Sequence, residues 1–123
     1  MKTDRQNLGE KGEQLARSFL EKKGYKILET NFRYRHTELD IICRHKDTLI
    51  IVEVKSVRVP GFGSGEERLS PQKQHNIIKT TYAYLRYRSD LIGLGVRFDV
   101  VSVNFGECPP LVSHYEGAFY QRY

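Results

Sequence analysis

Two β-rich runs, Glu38 to Arg44 and Leu49 to Ser56, are separated by the polar stretch His45-Lys46-Asp47-Thr48, and this pairing constrains the fold more than any other feature of the chain. Aliphatic and β-branched residues suit a pleated, half-buried surface, and a short polar link between two such runs reads as a hairpin. A turn centred between Lys46 and Asp47 sets Asp40 opposite Glu53 and Glu38 opposite Lys55. Side chains two apart in a strand share a face, so Glu38 is expected to point with Asp40, and Glu53 with Lys55. Leu39, Ile41, Ile42, Ile51, Val52 and Val54 supply apolar packing around them. Carboxylates and an ammonium thus converge inside strands, where ionised side chains are uncommon.

The other elements follow from periodicity. From Leu8 to Lys23, the residues Leu8, Leu15, Ala16, Phe19 and Leu20 fall on one side of a helical wheel with charged residues opposite. Asn7 reads as the N-cap with Glu10 three residues on, and Gly24 after Lys22 and Lys23 reads as the stop. Tyr25 to Phe32 reads as a first strand, with Asn31 beginning its exit. Past the hairpin, Val57 to Leu69 holds Pro60, Gly61, Gly63 and Gly65 and reads as a flexible loop, of a length more often functional than idle. Ser70-Pro71 opens a second helix that runs to about Arg88, with Ile77, Ile78, Thr81 and Leu85 on its buried side. Val96 to Phe105 and then Leu111 to Tyr115, after Pro109-Pro110, read as further strands. The order α-β-β-β-α-β-β predicts an α/β layout, a mixed sheet with helices on its faces.

A chain of 123 residues, 39% of them hydrophobic, supports one compact core and is expected to form a single domain over 1–123. Met1 to Gly12 is polar where a secretory signal needs an apolar core, and no apolar run approaches spanning length, so a cytoplasmic location and no membrane partner are the expectation. Cys43 and Cys108 form no C-x-x-C pair and read as two reduced thiols. The formal net charge of +5 favours an anionic partner, because Lys and Arg that neutralise phosphates release condensed counterions. Charge alone raises that prior only modestly; it needs a site beside it.

The strand acids offer one. Like charges facing each other across a sheet destabilise it, so Asp40 opposite Glu53 calls for a cation. Mg²⁺ prefers oxygen ligands and is commonly held by one or two carboxylates together with substrate phosphate. Such an ion polarises a phosphodiester and acidifies bound water, and Lys55 is placed to position that water or to stabilise developing charge. The plain alternative is that Lys55 forms cross-strand ion pairs with Glu38 or Glu53 on a solvated face. Lys73 sits in the first turn of the second helix, where a cation is mildly unfavourable unless a phosphate compensates it, with Gln72 a weaker companion. Arg33, Tyr34, Arg35 and His36 interleave basic and aromatic groups, as a binder of single-stranded or distorted nucleic acid would, although a solvated loop looks the same. Tyr82, Tyr84 and Tyr87 with Arg86 and Arg88 form a second cluster, whose helical spacing favours core or a partner-helix surface. His45, His75 and His114 lack metal-ligand spacing and read as surface or packing residues.

Gly9-x-x-Gly12-Glu13 with Ala16, Asn31 before Glu38-Leu39-Asp40-Ile41-Ile42, Ile51-Val52-Glu53-Val54-Lys55, Phe62-Gly63, Lys73 and Arg97-Phe98-Asp99-Val100-Val101 together resemble the bacterial YraN (UPF0102) family. That family is similar to the restriction-endonuclease-like nuclease superfamily, whose D-(x)n-E-x-K signature maps onto Asp40, Glu53 and Lys55, and most looks like archaeal Holliday junction resolvases. The resemblance implies a restriction-endonuclease-like fold with a central mixed sheet flanked by helices. It also implies hydrolysis of DNA phosphodiesters dependent on Mg²⁺ or Mn²⁺. Asp40, Glu53 and Glu13 would bind metal, Lys55 would orient the attacking water and Glu38 would assist; Glu13 matches the extra acid that those resolvases take from their first helix. Arg33, Arg35, Arg58 and Lys73 would contact nucleic acid. Junction resolvases act as dimers, so the resemblance tilts towards a homodimer. Two positions depart from the family pattern: Thr37 stands where Gly is usual, and Val57, followed by Arg58, stands where Arg is usual. The rival expectation is a nucleic-acid-binding module with the same fold that cleaves nothing.

Overall fold

The computed structural model describes residues 1–59 and 69–120. They form helix α1 (Asp4–Lys22), strands β1 (Lys26–Tyr34), β2 (Thr37–His45) and β3 (Thr48–Val57), helix α2 (Pro71–Tyr87), and strands β4 (Gly95–Asn104) and β5 (Leu111–Phe119). A 3₁₀ turn, Ser89–Leu91, follows α2. The predicted order holds. Pro60, Gly61, Gly63 and Gly65 of the predicted loop, and the Phe62-Gly63 motif, lie outside the described residues.

The strands join in one sheet in the order β1-β2-β3-β4-β5. β3 and β4 run parallel and every other neighbouring pair is antiparallel. Parallel neighbours need a crossover, which α2 supplies between them. Ala16 and Leu20 of α1 pack on one face with Ile41, Cys43, Ile50, Val52, Val101 and Val103. Ile77 and Tyr84 of α2 pack on the other with Leu39, Ile42, Leu49, Ile51, Phe98 and Val100. β3 is therefore apolar on both sides, which explains why its sequence is a near-continuous aliphatic run. This mixed five-stranded sheet flanked by two helices is compatible with a restriction-endonuclease-like fold.

α1 begins earlier than its periodicity indicates. Thr3, not Asn7, is the N-cap: its side chain accepts from the Gln6 backbone N–H, and the Gln6 side chain accepts from the Thr3 N–H, a complete capping box. The first turn, Asp4 to Asn7, is wholly polar, so a search for an apolar stripe passes over it. Leu15, expected on the buried side, is exposed. The helix instead meets the sheet through Gly12, Ala16 and Leu20, four residues apart. At Gly12 the approach is so close that a Cβ would collide with Ser56 Oγ of β3. This contact presses the neighbouring Glu13 towards the sheet rather than leaving it on a solvated face. In α2, Ser70 caps as expected by accepting from Lys73 N, with Pro71 in the first turn. Ile78 and Leu85 are only partly buried, while Thr80, Ala83 and Tyr84 join Ile77 and Thr81 inside.

The hairpin register is the predicted one from His45–Thr48 to Ile41–Val52, and there the ladder stops. Asp40–Glu53 and Glu38–Lys55 are not ladder pairs, contrary to the expectation from simple alternation. The reason is local. Leu39 packs on the α2 face and Ile41 on the α1 face, although residues two apart in a regular strand share a face. The chain of β2 therefore turns over at Asp40. On β1, between the pairs Thr30–Ile41 and Phe32–Leu39, Asn31 adopts a left-handed φ of 54°, a conformation Asn tolerates better than most residues. β2 thus departs from β3 at the point where the acids lie.

Candidate metal centre

In the gap that this irregularity opens, Asp40 Oδ2 accepts the Val54 backbone N–H at 2.8 Å, so a carboxylate takes the place of a ladder carbonyl. The Glu53 carboxyl adjoins Asp40 and acts on its charge. Glu53 is buried, on the α2 face of β3, and its Oε1 lies 3.5 Å from Lys73 Nζ in the first turn of α2. From the opposite face, Glu13 of α1 reaches the same place. Carboxylate oxygens of Glu13, Glu38 and Asp40 lie within 4.8 Å of one another. Asn31 ties two of these acids together, donating from Nδ2 to Glu13 Oε1 at 3.0 Å and to Glu38 Oε1 at 2.8 Å. Arg33 lies 3.6 Å from the other oxygen of Glu38.

The hollow on the α1 side has a volume of about 690 Å³ and is lined by Glu13, Asn31, Glu38, Asp40 and Glu53 among others. Glu38, Asp40 and Glu53 also border a second hollow, beneath Gln72, Lys73 and Asn76 of α2. The acids are thus open to solvent from both faces of the sheet at the place where two strands part.

The electrostatics reflect this crowding. Burial, and then the adjoining Glu53, push the Asp40 carboxyl up to about 8. Burial, followed by the charge of Asp40, also raises the Glu13 carboxyl. A group protonated more readily in the folded than in the unfolded chain stabilises the fold at low pH and loses that contribution as pH rises through its folded value. The stability of the metal-free protein relative to Asp40→Asn should therefore decline from about pH 4 to about pH 8 and then level off. Urea denaturation in chelator across that range checks this; a pH-independent difference would mean that the Asp40 carboxyl is not raised by folding.

Lys55 is half-buried in β3, is not among the residues that line either hollow, and makes no ion pair or hydrogen bond among the described residues. The ammonium found against the acids is Lys73. Arg35 lies over the Tyr34 ring at 5.3 Å, and Arg58 is exposed just beyond the end of β3. Asn31, which the sequence marks only as the end of a strand and as a motif position, proves to be the bridge between two acids. A single Asn inside a β-rich run is the available signal, since Asn favours left-handed backbone there.

Sequence reasoning also missed a polar cluster on the α1 face. Asp99, fully buried, accepts two hydrogen bonds from Arg97 at 2.9 Å, one from His114 Nε2 at 2.8 Å and one from Gly117 N at 2.9 Å. Burial opposes its charge, but His114, Arg97 and the Gly117 N–H hold the Asp99 carboxyl below its ordinary value. Lys23 closes the far side of His114, 2.8 Å from Nδ1. With the Asp99 carboxylate satisfied and two cations beside it, this cluster is a structural brace.

Residues 12–103 match the family described as Uncharacterised protein family UPF0102. The chain belongs to this family. It is 42% identical over 112 residues to a UPF0102 protein of Syntrophomonas wolfei, covering 91% of this chain and 96% of the relative. It is 43% identical over 117 residues to one from Parabacteroides distasonis, covering 94% and 95% respectively. A third, from Syntrophus aciditrophicus, is 46% identical over 101 residues, covering 80% and 79%. The UPF0102 segment contains every residue of the acidic centre, from Glu13 to Lys73.

Proposed function

We propose that this protein is a divalent-metal-dependent nuclease that hydrolyses phosphodiester bonds of DNA, branched DNA included, and that it is related to the restriction-endonuclease-like superfamily and its archaeal junction resolvases. The observation that carries the proposal is the convergence of Glu13, Glu38, Asp40 and Glu53, with Asp40 and Glu53 in direct contact, at an opening reached from both faces of the sheet. A donor set made of carboxylate oxygens fits a hard ion such as Mg²⁺ or Mn²⁺ and does not suit a soft one.

Asp40, Glu53 and Glu13 would hold the ion, which when bound supplies Lewis acidity at the scissile phosphate and acidifies water. The chain's own residues do the rest. Asp40, whose carboxyl is raised by burial and by Glu53, would give up its proton to serve as a ligand. Asn31 keeps Glu13 and Glu38 aimed at Asp40. Lys55, two residues beyond Glu53 but outside both hollows, would have to swing into the opening to orient the attacking water and offset developing negative charge. Lys73, paired with Glu53 in the absence of substrate, can turn to a phosphate once a metal neutralises the acids. Arg33, which lies beside Glu38, would contact the nucleic-acid backbone together with Arg35 and Arg58. A homodimer would give two such centres for two strands.

The deciding experiment offers branched, linear and single-stranded substrates with Mg²⁺, Mn²⁺ or Ca²⁺. Metal-dependent cleavage is expected with Mg²⁺ or Mn²⁺; its absence on every substrate would leave the non-catalytic binding module. That second reading has its own support, because Lys73 pairs with Glu53 and Asn31 donates to Glu13 and Glu38, so protein groups partly satisfy the acids. Both readings predict DNA binding that weakens steeply with salt, through counterions released by Arg33, Arg35, Arg58 and Lys73. Affinity that is flat between low and physiological salt would remove nucleic acid as the partner.

A further inference from the structure

α2 carries Lys73, His75, Lys79 and Arg86 and has no acidic residue along its 17 residues, not even in its first turn. Helices normally place acids at their N-terminus to meet the positive end of the dipole, so this one is doubly positive. At 3.6 residues per turn, His75, Lys79, Tyr82 and Arg86 form a single stripe, about 6 Å from His75 to Lys79 and about 10 Å from Lys79 to Arg86 along the axis. All four are exposed, and Lys79 and Arg86 make no ion pair with an acid among the described residues. Across from the stripe stands Tyr120, which is 72% exposed; Tyr82 is 46% exposed. Between them runs a groove of about 410 Å³, floored by Ile78. It starts at Pro71 and His75, on the first turn of α2, whose other side borders the acidic centre with Gln72 and Lys73. The same two tyrosines line the adjoining hollow above Phe98 and Phe119, so the groove continues past them.

We propose that this groove is a track for an unpaired nucleic-acid strand, whose bases stack on Tyr82 and Tyr120 and whose phosphates lie along Lys79 and Arg86. The inference rests on the reading that the adjoining acids act on nucleic acid, and it names the form of substrate that they receive: a strand with unpaired bases next to the scissile bond. Charge selects the occupant. An apolar peptide would leave Lys79 and Arg86 unmatched, whereas a polyanion with aromatic bases answers both the cations and the rings. Tyrosine rings accept any base, so the track is tolerant of sequence.

The test is binding in chelator, independent of cleavage. A labelled oligothymidylate of about twenty nucleotides, long enough to cover a site of this kind, is titrated by anisotropy against the full chain and its variants. Tyr82→Ala and Tyr120→Ala should each weaken binding by on the order of tenfold, Tyr82→Phe should keep the parent affinity, and blunt duplex should be little affected by any of them. Because the chain has no Trp, Tyr82→Trp supplies a single fluorophore that stacked bases should quench. Parent-like binding by both alanine variants, equal losses on duplex and single strand, or no quenching of Tyr82→Trp would each overturn the track. So would a change in sedimentation of the alanine variants with oligonucleotide affinity unaltered, which would make the groove a contact between copies of the chain. Failure of all cleavage with Mg²⁺ and Mn²⁺ bears on the acidic centre instead, and leaves this outcome readable.

Discussion

Replacing Asp40 with Asn, or Glu53 with Gln, is expected to lower metal-stimulated cleavage by at least about a hundredfold, the scale on which catalytic electrostatic groups act. Both substitutions keep the side-chain shape. The amide oxygen of the Asp40→Asn variant could still accept the Val54 N–H that now bonds Asp40, so the opening between β2 and β3 should persist. What disappears is the negative charge that a divalent ion needs. The same variants should bind DNA in chelator as well as the parent or better, because the acids repel phosphate when no metal is present. Lys55→Met should also lose cleavage but retain metal binding, since an ammonium is no ligand. Single-turnover cleavage beside anisotropy and metal titration separates these effects. Variants at Asp40 and Glu53 that cut as fast as the parent would end the enzyme reading.

The largest effect on stability is expected at Asp99→Ala. Removing one member of a buried, hydrogen-bonded charge group typically costs about 3–5 kcal/mol, because its partners stay behind unmatched. Here Arg97 would lose its bidentate acceptor, the buried imidazole of His114 its acceptor, and Gly117 N its bond. Because the Asp99 carboxyl is held below its unfolded value, its contribution is present above the ordinary carboxylate range and fades as pH falls through the folded value. Urea denaturation should accordingly show a wide gap between parent and variant at neutral pH that narrows in acid. A gap of less than about 1 kcal/mol at neutral pH, the level of an exposed ion pair, would show that the cluster braces nothing.

How much of this is legible in the sequence depends on whether a feature is periodic. The hairpin register from Ile41 to Val52, the Ser70 cap and the order of elements all follow from local pattern, and all are readable. Asp40 and Glu53 can be named because charged residues are unusual inside strands, and Glu13 only through the family resemblance. Their geometry cannot, since alternation assumes a regular strand and β2 turns over at Asp40. The same assumption places Lys55 across from Glu38 and gives no hint that Lys73 approaches Glu53 from α2. Asp99 and His114 lie on separate strands, β4 and β5, with Lys23 at the end of α1, and nothing in their spacing brings them together. Pattern alone ends β5 at Tyr115, but the strand runs to Phe119, past a register shift and a Gly117 in the left-handed region that break its alternation.

The strand order leaves β1 and β5 as the two rims of the sheet. A rim exposes unpaired amides and carbonyls and invites another chain to extend the sheet, a hazard usually blunted by charge or by local distortion. β1 carries exposed Lys26, Glu29 and Arg33 and is broken by a register shift and by the left-handed Asn31. β5 is distorted near Gly117, where its pairing with β4 slips. The irregularities that shape the acidic centre and brace its opposite side therefore also guard the molecule against edge-to-edge aggregation, and two copies of this chain would meet more readily through their helices or loops than by fusing their sheets.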